Sequence, residues 1–144
     1  MKYSILLLLG MSLLAMACGD NYQAQQAAHD KVMEIHDDVM PKTSEIQRLV
    51  RSLKKHLKIE EGQPPLDDAT KAKIESVMQQ LEAADEGMMS WMSSYKKPKK
   101  EMEKAAALAY LEKEKAQITK VRTEMLASIE VGTALVRELE GKVK

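Results

Sequence analysis

Seven apolar residues between Ile74 and Tyr95 limit this chain more than any other feature. Ile74, Val77, Leu81, Ala84, Met88, Trp91 and Tyr95 follow one another at steps of 3, 4, 3, 4, 3 and 4. That spacing places all seven on one stripe of an α-helix, and a stripe of heptad type must be covered by other helices. Two further segments carry matching stripes. Val32, Ile35, Val39, Ile46, Leu49, Leu53 and Leu57 form one, which keeps phase across Pro41 and so predicts a kink there rather than a helix end. Leu108, Leu111, Ile118, Val121, Met125, Ile129, Gly132, Leu135, Leu139 and Val143 form the other, interrupted by Lys115, whose stem can snorkel. The residues that dominate the chain (Lys, Glu, Ala, Leu, Met, Gln) are strong helix formers, and no β-branched run of period 2 occurs.

The expected fold is all-α: an antiparallel up-down-up three-helix bundle of coiled-coil type, with helices over about 24–58, 67–95 and 101–143. Glu60–Leu66 (EEGQPPL) and Lys96–Lys100 (KKPKK) are the turns, and Asp67 or Asp68 is placed to cap the second helix. Folding back at the first turn sets residue i of the first helix near residue 127 − i of the second, so that Ile46 meets Leu81, Leu53 meets Ile74 and His36 meets Trp91. The same register applied to the third helix leaves some 14 residues beyond Ile129 without a partner, about 20 Å of helix. Val131, Leu135, Val136, Leu139 and Val143 would then form a bare apolar surface for self-association or a protein partner.

The N-terminus reads as a targeting segment. One positive charge at Lys2 precedes an apolar run from Ile5 to about Ala17, too short for a bilayer span, which ends at Cys18. Ala15-Met16-Ala17-Cys18 resembles a bacterial lipobox, although the preferred leucine three residues before the cysteine is replaced by Ala15. Ala15-x-Ala17 also satisfies an ordinary signal peptidase, which would leave Cys18 a free thiol. The expected organisation is a signal segment over 1–17, a tether over 18–23 lipidated at Cys18, and the bundle over 24–144. Cys18 is the only cysteine, so an intrachain disulfide and a cysteine metal cluster are excluded. From residue 18 onward the chain holds 21 basic and 22 acidic residues, a balance that offers no footprint for nucleic acid.

Three groups of residues could carry function. His29, Met33, His36 and Met40 share one helix face at steps of 4, 3 and 4, and the hairpin register brings Met88 and Met92 toward it. Thioether and imidazole ligands suit Cu(I) or Ag(I); methionines at helical spacing also simply fill cores. The lysines of KKPKK (Lys96, Lys97, Lys99, Lys100) fall at the same end of the bundle as Cys18, where they could face a membrane. The neighbouring carboxylates Asp37–Asp38 and Asp67–Asp68 read as caps and solvated charge, since adjacent residues do not face each other on a helix. No phosphate loop, nucleophile elbow, zinc spacing or Glu-x-x-His pair is present, so neither an enzyme nor a cofactor is expected.

The pieces HDKVMEIHDDVMPKTSEIQRL and AADEGMMSWMSSYK resemble a group of small helical lipoproteins of Bacteroidetes, some of which carry the name "viral A-type inclusion protein". The resemblance spans about a third of the chain. It implies a lipoprotein of the cell envelope in a diderm bacterium, and transfers no site residues. The role expected from all of this is a lipid-anchored, non-enzymatic helical module for structure or interaction. A soft-metal binder and a periplasmic stress or holdase protein are the alternatives.

Overall fold

The computed structural model describes residues 13–58 and 66–142, with side chains over 22–58 and 66–141. Helix α1 spans Leu13–Val39; a short 3-10 turn, Met40–Lys42, joins it to α2, Thr43–Leu57; α3 spans Asp68–Ser94 and α4 spans Lys104–Lys142. The fold is an all-α helical bundle in which α1 and α2 act as one rod, α3 returns along it and α4 runs back up against both.

The stripes explain the packing. Along the first rod the residues most deeply buried are Val32, Val39, Ile46 and Leu53, one per heptad and all within 1 % of full burial. They stay on one line because Pro41 does not break the rod. Proline has no N–H to donate into an α-helical ladder, and the chain tightens for one turn, where the Thr43 N–H and Oγ1 both reach the Met40 carbonyl. In α3, Ile74, Val77, Leu81, Ala84, Met88 and Trp91 are all buried, as their spacing requires. Asp67 caps α3, its carboxylate accepting from the Thr70 N–H at 2.9 Å and the Thr70 hydroxyl at 2.7 Å.

Two expectations are corrected. The first is the register of α4. The backbone turns extended at Tyr95 (φ −61°, ψ 132°), and Pro98 disfavours helix at Lys97. About five extended residues cover ~16 Å, so α4 begins well past the end of α3, level with the first turns of α1. Arg122 pairs with Asp38, and Lys73 with Glu138. Gly132 lies against Leu81 and Leu49, where a Cβ would meet Leu81 Cδ1 at 3.0 Å. The offset uses up the expected overhang: Leu135 and Leu139 are each 3 % exposed and belong to the core. Val136 packs partly buried against that core and Val131 is exposed, while Val143 lies outside the described residues.

The second correction concerns the rotation of α4. Its buried positions include Ala107, Leu111, Glu114, Ile118 and Met125, so Glu114, not Lys115, sits in the stripe. Leu108 is only half-buried. At the N-terminal end, the backbone of 18–23, expected as a tether, continues α1 as helix. Residues 1–12 of the expected signal segment and residues 59–65 of the first turn lie outside the described residues. Among the described residues, no helix is long and apolar enough to cross a membrane.

Candidate functional site

Nearly all the aromatic chemistry of the described chain gathers where α1, α3 and the start of α4 meet. The His36 ring tilts against Trp91 at 5.6 Å between centroids. Trp91 stacks on Tyr95 at 4.9 Å, and Tyr95 stacks in turn on His29 at 6.0 Å and Tyr110 at 6.4 Å. The meeting of His36 with Trp91 is the one that the hairpin register predicts. Beneath this ladder the Trp91 indole N–H donates to Glu114 Oε2 at 3.0 Å, both residues being buried. A buried indole needs an acceptor, and Glu114 supplies it from within an otherwise apolar stripe. The signal for this pair was a single Glu at a core position of the α4 heptad, opposite the only Trp in the chain.

His29 Nδ1 lies 2.6 Å from the Tyr95 hydroxyl. Burial, followed by the charge of Lys97, holds the imidazole below its usual pKa, although nearby Asp30 opposes the shift. Burial also pushes the Tyr95 hydroxyl up to about 12, with Tyr110 and Glu114 adding to the effect. Both shifts favour the arrangement in which a protonated Tyr95 donates to a neutral His29. His36 Nδ1 has its own partner in Asp37, at 2.8 Å.

The proposed soft-metal ligands are thus spread over different environments. Met88 is fully buried and Met40 packs partly buried against the core. Met33 is half-buried and Met92 is 40 % exposed. Among the described residues, no group of three or more His, Cys, Asp or Glu is placed to hold a metal ion. Two shallow open grooves run between helices: one of about 220 Å³ is bordered by Ala24, Ala28 and Leu111, the other, of about 390 Å³, by Ala84, Ala127 and Val131. Neither contains a convergent set of buried polar groups. Asp38 pairs with Arg122 and Asp68 with Lys71, so the acidic pairs read as surface charge and cap.

The segment 95–103 lies against residues 22–29 of α1. The buried Gln25 amide donates to the Met102 carbonyl at 3.1 Å. Lys97 Nζ donates to Gln26 Oε1 at 2.8 Å, and Lys100 sits 5.1 Å above the Tyr22 ring. The Glu103 carboxylate caps α4 by accepting from the Ala105 and Ala106 N–H groups, which hold it below the usual carboxylate range. Lys96, Lys97, Lys99 and Lys100 are all exposed. Cys18 belongs to α1 one turn before Tyr22; its side chain lies outside the described residues. Comparison with protein-family models, curated proteins and solved structures produced no match.

Proposed function

We propose that this chain is a lipid-anchored protein of a diderm cell envelope. In this reading it is a non-enzymatic helical module held to the membrane through Cys18, with the bundle as a rigid spacer. The observation that carries the reading is the lipobox-like Ala15-Met16-Ala17-Cys18 that closes a short apolar run. About two turns beyond residue 18, α1 packs against the segment 95–103 through Gln25 to Met102 and Lys97 to Gln26. An acyl chain on Cys18 would therefore sit at one pole. α4, 39 residues long, would carry the opposite pole some 58 Å away. One acyl chain binds a membrane only marginally, so an anchor of this kind needs a full set of chains or a second attachment.

The test is chemical. Cells expressing the full chain are fed an alkyne fatty acid, and the N-terminal peptide of the purified protein is read by mass spectrometry. A peptide beginning at an acylated Cys18, with the label and membrane recovery lost in Cys18→Ala, supports the reading. An unlabelled mature protein recovered in the soluble periplasmic fraction overturns it. The soft-metal alternative ranks second, because its thioethers lie in different environments, Met88 fully buried and Met92 40 % exposed. A Cu(I) competition titration of the Cys18→Ser chain is expected to be unaltered by His36→Ala/Met40→Leu. A tight one-to-one site lost in that variant would place the alternative first.

A further inference from the structure

Charge is distributed unevenly along this bundle. Down the shaft, several basic side chains are matched with carboxylates (Lys42 and Arg48 with Glu45, Lys54 with Glu82, Lys73 with Glu138, Lys120 with Glu124 and Arg122 with Asp38), while others, such as Arg51, Lys55 and Lys58, have no such pair among the described side chains. What sets the Cys18 end apart is that its lysines surround exposed apolar side chains. Among the described side chains, none of Lys96, Lys97, Lys99 or Lys100 makes an ion pair with a carboxylate; Lys97 contacts an amide and Lys100 a tyrosine ring. Within 96–104 five lysines face two acids, and Glu103 is committed to capping α4. Two large apolar side chains are exposed among these lysines, Tyr22 at 38 % and Met102 at 43 %. Unpaired lysines around an exposed tyrosine and methionine suit the headgroup region of a bilayer, where aromatic rings settle and cations meet lipid phosphates.

We infer that the segment 95–103, together with Tyr22 of α1, docks on the anionic headgroups of the membrane to which the chain is anchored, setting the bundle upright on it. The occupant is the lipid surface because the same pole carries residue 18, so this inference rests on the lipid-anchor reading for its biological setting. Charge complementarity would add an electrostatic attachment to the acyl chains that Cys18 carries.

The experiment uses the 18–144 chain with Cys18→Ser, which contains every described side chain and carries no lipid. Its binding is measured on vesicles of phosphatidylglycerol with phosphatidylethanolamine and on vesicles of phosphatidylcholine. Each lysine near an anionic surface is worth roughly fivefold in partitioning. Lys96→Gln/Lys99→Gln, which removes none of the contacts with α1, is therefore expected to lose about 25-fold. The quadruple variant with Lys97→Gln and Lys100→Gln is expected to lose several hundredfold. Removing four charges from the far half of the rod (Arg48, Arg51, Lys55 and Lys58 to Gln) should cost much less, and neutral vesicles should bind little. Thermal melts by circular dichroism establish that each variant is folded. Equal binding to both lipids, or an equal loss from the distal variant, would overturn the inference. Because the protein carries no acyl chain, this result is independent of whether Cys18 is lipidated: headgroup binding without acylation would sink the anchor reading alone, and acylation without headgroup binding would sink only the docking surface.

Discussion

The hydrogen bond from Trp91 to Glu114 should be the most strongly coupled polar pair in the bundle. Both residues are nearly removed from water, 6 % and 7 % exposed, and the indole N–H lies 3.0 Å from Oε2. A hydrogen bond to a charged acceptor contributes about 1.5–3 kcal/mol, and stranding either partner in the interior costs about 1–3 kcal/mol. Glu114→Ala leaves the indole N–H unanswered and is expected to cost about 2–3 kcal/mol. Trp91→Phe keeps a ring against Tyr95 but strands the carboxylate, at a similar cost. If the two single losses share one interaction, the double variant should be less destabilised than their sum by about 1.5–3 kcal/mol. In a domain of this size each kcal/mol corresponds to about 3–6 °C in Tm, so the single variants lie well within measurement. The assay is urea denaturation followed by far-ultraviolet circular dichroism for all four proteins. Trp91, the only tryptophan, provides an independent fluorescence transition where it is retained. A coupling below about 0.5 kcal/mol would show that the contact contributes nothing specific and would refute the reasoning. A companion variant, Trp91→Phe/Glu114→Leu, should be close to neutral or more stable than the parent, because a matched apolar pair avoids desolvating a charge.

Three further outcomes follow from the same geometry. His29 is held below its unfolded pKa of 6.5, so the unfolded chain takes up a proton first. Stability is therefore fully present above pH 6.5 and is lost as pH falls from there through the folded pKa; urea midpoints should decline on acidification in that window, and Lys97→Gln should raise the His29 pKa seen by NMR. Gly132→Leu should cost at least about 2 kcal/mol in a denaturant titration, since the Cβ alone meets Leu81 at 3.0 Å in a packed three-helix contact; Leu126→Ala, at a position 39 % exposed, should stay within about 0.5 kcal/mol of the parent. Asp67→Ala removes the side-chain acceptor of the Thr70 N–H at the start of α3 and should lower the urea midpoint, with Asp67→Asn recovering most of the loss.

Much of the bundle is legible along the chain because helical periodicity is a local property. Ile74 to Trp91 are buried where a 3-4 step places them, and Val32 to Leu53 stay in line through Pro41 because the heptad count does not slip there. The hairpin register that pairs His36 with Trp91 follows from the same counting. The Asp67 cap depends on its immediate neighbours and is visible for that reason.

What lies between helices was not legible in the same way. The position of α4 depends on how far the chain travels after Tyr95, and an extended residue advances about twice as far as a helical one. Five such residues move Leu135 and Leu139 from an expected free surface into the core. The choice of Glu114 over Lys115 for the interior depends on an indole N–H that approaches from another helix. That Lys96, Lys97, Lys99 and Lys100 have no carboxylate partner among the described side chains likewise reflects which groups the fold brings near them. Residue spacing therefore determined which faces of this chain become apolar helix surfaces. Only the tertiary structure decided the offset and rotation at which those faces meet, because both are set by the path of a connection and by the partners it places opposite.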